Sequence, residues 1–313
     1  MNMERKIEFA DVQRAVGEAY DSFKDDNEGA IDLRVVSSSK AGTFGISVVL
    51  TDGRSVDKGD ADALFAMGSI SRIPLSLVLL TQYGVDGLEQ KMGHCLCCSK
   101  PRTDRNKVEL PFSRHAVRAA AAVQPQGDPE GKYKIIADMI YGLTGCEPSF
   151  DDALYEAYRT ELDKENAAAN LEGSGYRMAD TPAISLDLYS RLRSLRVSPR
   201  QLATMGATIA ADGRNPYSGQ YAFDGALAAP AVAIMASHGR HFLKPWLVET
   251  GLPAKKSFAG GILAVMPGFG AIAAYSPEVD ERGISVKGAR AIAHIARQLQ
   301  LNVFASSRIV VAK

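Results

Sequence analysis

The chain has 313 residues, enough for one large domain or a domain of two lobes, and its 46% hydrophobic content supplies ample core, which excludes disorder along the whole length. Lysine plus arginine and aspartate plus glutamate number 36 each. That balance gives no electrostatic reason to expect nucleic acid or an anionic membrane as partner, and it points instead to a small molecule or a protein.

The N-terminal segment mixes charges with Phe9, Val12, Val16, Ala19, Tyr20 and Phe23 at helical spacing, which predicts an amphipathic helix and lacks the apolar run of a signal peptide. No stretch reaches the roughly 18 apolar residues of a membrane-crossing helix, so a cytoplasmic location is the expectation. After a polar break from Asp25 to Gly29, Ala30 to Ser39 reads as a short extended or connecting segment. Thr43 to Leu50 alternates as a strand does, Asp52-Gly53 is a hairpin turn signal, and Arg54 to Lys58 returns as the antiparallel neighbour.

The run from Gly59 to Arg72, GDADALFAMGSISR, then brings an extended segment to Ser69 at the mouth of an apolar helix. A serine there has its oxygen among unpaired backbone N–H groups and near the positive end of the helix dipole, which favours a developing alkoxide or anion. The same placement suits an ordinary N-cap, so both readings of Ser69 stand at this point. Ile73, Leu77, Val78 and Leu80 form the buried face of that helix, which ends near Tyr83-Gly84; Pro74 lies in its first turn.

Further along, Cys95, Cys97 and Cys98 sit with His94 inside five residues, and Cys146 stands apart. Four candidate ligands packed so tightly cannot enclose a tetrahedral ion without distorting the backbone, and no second C-x-x-C half is present, so no metal is expected there. The basic run Lys100-Pro101-Arg102 reads as a solvated loop. Tyr133 to Gly142 and Asp151 to Leu162 read as helices joined through Thr144 to Pro148, which makes the middle of the chain all-helical. Asp212-Gly213 is a turn, Gly261 to Val265 and Gly270 to Tyr275 are strands, and Ala289 to Leu299 is a closing amphipathic helix.

The wording around Ser69, FGISVVLTDG, then GD, then GSISR, resembles the bacterial glutaminase family, whose serine-dependent members read FGIAVVTVDG, GD and QSISK. In that family the first serine of S-x-x-K is the nucleophile and the lysine its general base, which aligns Ser69 with the nucleophile and Arg72 with the base. A guanidinium stays protonated and cannot take a proton from serine as a neutral lysine does. The resemblance also covers Leu186-Asp187-Leu188-Tyr189, matching L-D-L-Y and making Tyr189 the retained pocket tyrosine or else a core tyrosine. It covers Gly251-Leu252-Pro253-Ala254-Lys255, matching G-L-P-A-K, and the Gly283 to Gly288 stretch. The family's S-G-V-A-G-G follows here as Lys256-Ser257-Phe258-Ala259-Gly260-Gly261, so Lys256, Ser257 and Phe258 stand at a serine, a glycine and a valine.

Other pocket positions depart as well. Leu33 stands at the tyrosine of A-D-Y-I-P, Arg114 at the asparagine of N-P-x-x-N-A-G-A, and the Gly239 to Phe242 stretch, with His241, replaces Y-D-x-S-G. The asparagine of R-N survives as Asn166, while the preceding glutamate aligns ambiguously among Glu156, Tyr158 and Arg159.

What the resemblance implies is an α+β fold like that of serine β-lactamases and penicillin-binding proteins: a mixed antiparallel sheet flanked by helices plus an inserted helical lobe. The single domain is then made of a sheet lobe, 1–84 and 181–313, and a helical lobe, 85–180, with the cleft between them. It implies catalytic positions at Ser69, Tyr189 and Lys255 and substrate-binding positions at Arg72, Arg114, Asn166, His241 and Phe258, with no cofactor or metal. A small amide or amino-acid ligand and a homo-oligomer, a dimer first of all, are implied too.

Three functions are then open. Ser69 attacks glutamine or a related amide or acyl substrate, with Lys255, Lys256, His241 and Tyr189 the candidates for a substitute base and ordinary glutaminase activity weak or absent for want of the lysine. Alternatively, the chain is a non-catalytic paralogue whose changed pocket binds a small ligand or a protein partner. In a third reading Ser69 stays reactive toward an acidic acyl substrate that Arg72 and Arg114 pair with.

Overall fold

The computed structural model describes residues 4–32, 40–92, 114–164, 166–173, 178–237, 240–305 and 308–312. Strand β1 (Glu4–Ile7) leads into α1 (Phe9–Phe23), which buries Val12, Ala15, Val16 and Ala19, the face anticipated from its spacing. A two-residue strand β2 (Ala30–Ile31) precedes the hairpin β3 (Gly45–Leu50) and β4 (Ser55–Gly59). Then come β5 (Phe65–Ala66), a 3₁₀ turn at Gly68–Ser71, and α2 (Arg72–Met92), which breaks at Gly84 where φ is 67°, as the sequence predicts.

The middle of the chain holds α3 (Arg114–Ala122), α4 (Pro129–Thr144), α5 (Asp152–Lys164) and α6 (Ala167–Gly173). The expectation of an all-helical middle needs correcting: β6 (Ser149–Phe150) lies between α4 and α5 and pairs antiparallel with β7. Two residues are too few to show an alternating pattern, so only their partner strand, far along the chain, gives them away.

The remainder runs α7 (Pro182–Arg193), β7 (Leu195–Val197), α8 (Pro199–Ala210), α9 (Ala228–Ser237) and α10 (Arg240–Thr250), then β8 (Ala254–Lys256), β9 (Gly261–Met266) and β10 (Gly270–Tyr275). It ends with β11 (Glu278–Val279), α11 (Val286–Gln298) and β12 (Arg308–Val311), which pairs in parallel with β1.

The main sheet has the order β4-β3-β10-β9-β8 and is antiparallel throughout. Its central strands are buried on both faces. Ile46, Val48, Leu50, Ile262, Ala264, Ile272 and Ala274 share one core with α1, α11 and Trp246, while Val49, Leu263, Val265, Ala271 and Ala273 face a second core with α2 and α8. Period-two alternation therefore separates two apolar sets here, rather than an apolar from a polar one. Helix α8 is buried almost all round, which is why its sequence, PRQLATMGATIA, has so little polar surface. Among the described residues no helix is long and apolar enough to cross a membrane.

This packing places β8, the edge strand, against the 3₁₀ turn that carries Ser69. A small sheet of order β5-β7-β6 anchors the same turn from the other side.

Candidate active site

The turn is held before it can present Ser69. The Met67 N–H donates to the Leu195 carbonyl at 2.7 Å, the Ile70 N–H to the Met67 carbonyl at 2.9 Å, and the Ser71 hydroxyl to the Gly68 carbonyl at 2.7 Å. Gly68 has φ 50°, and Met67, not Ser69, occupies the N-cap of the turn; no side chain caps it. Ser69 is thus the second residue of the 3₁₀ turn, half-buried, and the capping reading of its hydroxyl does not hold.

On the opposite wall, Ser257 at the end of β8 donates its hydroxyl to the Ala66 carbonyl at 2.9 Å and accepts the Ala259 N–H at 3.1 Å. This pins the strand carrying Lys255 to the residues just before Ser69. A second tie joins Arg72 to α7, 117 residues on: its Nε–H donates to the Tyr189 hydroxyl at 2.8 Å, and its guanidinium lies 5.8 Å from the Tyr189 ring centroid. Tyr189 is fully buried and its hydroxyl is satisfied, so it is both a core residue and part of this site.

Arg72 and Lys255 line one small cavity with Ile73, Ser76, Ala231, Ile234 and Met235. Lys255 keeps a partial opening to solvent, yet protein surrounds it on most sides and hydrates its ammonium poorly. That burial, reinforced by the positive charges of Arg72 and Lys256, pushes Lys255 down to about 7. Among the described residues Lys255 makes no hydrogen bond or ion pair. It is therefore an amine that exists half-neutral near pH 7.

Lys256 is committed elsewhere. Its Nζ donates to the Gly283 carbonyl at 2.9 Å and to that of Arg282, and sits 4.0 Å from the centroid of the Phe258 ring. Burial lowers it to about 8, against a pull from Asp280 in the other direction. Phe258 is 43% exposed.

Of the other predicted positions that are described, neither Arg114 nor Asn166 lines this cavity. Arg114 opens α3 and is half-buried. Asn166 is exposed at the α5–α6 junction with φ 47°, and it lines a groove with Tyr155, Arg159, Asp187 and Arg191 that shares no residue with the Arg72 cavity. His241 lies in α10, but its side chain, like Leu33, His94, Cys95, Cys97, Cys98 and Lys100 to Arg102, falls outside the described residues.

A buried pair adjoins Tyr189, made of Arg193 and of Tyr158, which the sequence placed only as one of three positions for the family's glutamate. Tyr158 is 4% exposed, the Arg193 guanidinium lies 4.4 Å from its ring centroid, and burial raises its phenol, opposed by Arg193 and reinforced by Tyr189. Leu154, Tyr158 and Leu162 are spaced four apart and all buried, so the helical period of α5 was the signal that could have found Tyr158.

Chemically, the arrangement offers a hydroxyl at the start of an apolar helix, a lysine that titrates near neutrality, and a fixed cation between them and a buried tyrosine. Residues 32–304 match the family model described as Glutaminase. Similar proteins named glutaminase include one from Parabacteroides distasonis, 30% identical, and one from Bacteroides thetaiotaomicron, 32% identical, each alignment covering 99% of both chains. Among solved structures, one titled probable glutaminase ybaS superposes with a TM-score of 0.82 at 28% identity, covering 94% of this chain and 98% of that one. The Bacillus subtilis glutaminase YbgJ, in covalent complex with 5-oxo-L-norleucine formed by reaction with 6-diazo-5-oxo-L-norleucine, superposes at 0.77 and 20% identity, over 94% and 99%. Glutaminases have a β-lactamase-like fold, and the antiparallel sheet with flanking helices described above is that fold.

Proposed function

The chain belongs to the glutaminase family, and from that premise we propose that it is a Ser69-dependent amidohydrolase in which Lys255 takes the part that the third residue after the serine has in S-x-x-K. The observation that carries this reading is that Ser257 pins the end of the strand carrying Lys255 to the residues just before Ser69, while burial lowers that lysine to about 7. Arg72 stays charged and is tied to Tyr189.

In this reading Ser69 Oγ attacks the side-chain carboxamide carbon of glutamine or a related amide, and its proton passes to neutral Lys255. Backbone N–H groups of Ser69 and of the Phe258 segment receive the oxyanion. As the C–N bond breaks, the proton goes to the leaving nitrogen and ammonia departs. Water then opens the acyl ester, Lys255 taking one of its protons, and releases the acid. Ordinary glutaminase turnover is weak, because Arg72 and Arg114 replace groups with which the family motif holds and deprotonates, and misplacement by about 1 Å can cost roughly 100-fold.

The test is covalent labelling with 6-diazo-5-oxo-L-norleucine, read by intact mass, alongside ammonia release from saturating glutamine. Wild type should be labelled once, with a rate rising as pH passes upward through about 7, since Lys255 works in its neutral form. Ser69→Ala and Lys255→Met should lose the label, and Arg72→Lys should not restore fast ammonia release. Label that persists in Ser69→Ala sinks the nucleophile. A wild type that takes up no label and releases no ammonia favours the non-catalytic paralogue, for which the locked Arg72–Tyr189 contact in place of a base is the supporting observation.

A further inference from the structure

Among the described residues the small cavity at the start of α2 is lined by two basic side chains and holds no counter-ion. Its lining residues, Arg72, Ile73, Ser76, Ala231, Ile234, Met235 and Lys255, include no carboxylate. Arg72 is half-buried and its one described hydrogen bond goes through Nε to a neutral phenol, which leaves the donors of its terminal nitrogens for a ligand. Lys255 has no polar partner among the described residues. Buried charges are ordinarily paired, and an uncompensated pair of like sign either sheds a proton or recruits an anion.

The cavity they line measures ≈ 10 Å³, room for one oxygen atom of a ligand whose remainder lies outside it. The guanidinium fork matches a planar carboxylate, and the start of α2 adds the positive end of a helix dipole. From this geometry we infer that Arg72 and Lys255 form a carboxylate-binding pair, so that the cleft holds a carboxylic acid more tightly than the corresponding amide. The inference rests on the cleft being the ligand site, and it deepens that reading: the acid released by hydrolysis is the form the pocket retains.

Proton linkage follows from the surroundings of Lys255. The groups facing it are Lys256 on its own strand and Arg72 from the adjoining turn and helix; β9 (GILAVM) and α9 (AAPAVAIMAS), the other elements against β8, carry no titratable side chain. Tyr189 is joined to these groups by its hydrogen bond with Arg72, and Asp280 lies toward Lys256. In the empty cleft Lys255 is mostly neutral at pH 8, whereas a carboxylate beside it holds the ammonium charged. Binding an acid therefore takes up more protons at pH 8 than at pH 6, and the affinity falls as pH rises past the value of Lys255 in the empty cleft.

Isothermal titration calorimetry tests this with L-glutamate and L-glutamine, which share the α-carboxylate and differ only in side-chain carboxylate against carboxamide, both against Ser69→Ala so that neither turns over, and with L-glutamate against the wild type. Running each at pH 6 and pH 8 in two buffers of different ionisation enthalpy counts the protons. The expected result is tighter binding of glutamate than of glutamine by at least tenfold at pH 6, with proton uptake on binding glutamate at pH 8 and none on binding glutamine. Arg72→Gln should abolish that preference and Arg72→Lys should keep it; the proton count on unmutated Arg72 stands even if Arg72→Gln unfolds. Equal affinities, glutamate binding without proton uptake at pH 8, or no binding of either ligand each overturns the inference. Covalent labelling of Ser69 in the wild type is read separately, so equal affinities for acid and amide overturn this inference and leave the nucleophile standing, and a failure of labelling leaves this measurement intact.

Discussion

Gly68 and Ser257 form a contact that ties two departures from the glutaminase motifs together. The family wording QSISK has glutamine where this chain has Gly68, and S-G-V-A-G-G has glycine where it has Ser257. A Cβ on Gly68 would lie 2.7 Å from the Ser257 Oγ, and the residue's φ of 50° is one that only glycine adopts without strain. The two replacements are complementary in space: the side chain lost at 68 makes room for the hydroxyl gained at 257, which then bonds the Ala66 carbonyl. Gly68→Ala should accordingly cost about 2–3 kcal/mol from strain plus contact. Adding Ser257→Gly should recover the contact part and leave the backbone part. Urea unfolding of the two single variants and the double variant measures this, and additive effects would show that the two residues do not meet.

At the scale of elements, the helices behind the site are joined by an ion pair. Lys132 in α4 is fully buried; its ammonium sits 2.6 Å from Asp180, whose side chain is 6% exposed, and donates to the Ala121 carbonyl. Asp180 also accepts the N–H groups of Gly127 and Thr181, so one carboxylate joins α4, the loop after α3 and the start of α7. Burial alone would raise it, but Lys132 and those N–H groups together hold the Asp180 carboxyl below its ordinary value. A depressed carboxyl stabilises the fold above its unfolded value of about 3.9, and the contribution disappears as pH falls through the lower folded value. Lys132→Met, which leaves a buried charge unpaired, should destabilise by about 3–5 kcal/mol at pH 7. Denaturant midpoints should show that penalty shrinking toward pH 2–3, where Asp180 is protonated; a penalty constant with pH would mean the pair is structural packing alone.

Across the whole molecule, apolar surface remains on the side of α9 and α10. Helix α9, AAPAVAIMAS, has no charged residue, and it lines a groove of ≈ 550 Å³ with Pro253, Pro267 and Phe304; Phe304 is 67% exposed and Val248 84%. We propose that side as the place where a second copy of the chain packs. A two-fold dimer is the expected assembly, closed association being the commonest for soluble chains. Light scattering across micromolar concentrations should give twice the 33.5 kDa chain mass, and a monomer throughout would remove the prediction. Ser69 does not line this groove, so the Ser69→Ala change used in the binding experiments keeps the two questions separate.

Local wording was enough for much of this. Ser69, Lys255 and Tyr189 stand in short motifs, and the strands from Gly45, Gly261 and Gly270 and the helices α1, α5 and α11 declare themselves by period and by turn residues, because those signals are carried by neighbours along the chain. Three things depended on residues far apart in sequence. The strand β6 exists because β7 pairs with it; the fate of Arg72 is decided by a tyrosine 117 positions away; and the choice between Lys255 and Lys256, adjacent and chemically identical, is made by what each meets. Lys256 turns to the Gly283 carbonyl, while Lys255 is left between protein walls beside a fixed guanidinium. Sequence determines which groups are available, but desolvation and the distance between like charges set their protonation, and both arise only when the chain has closed around them.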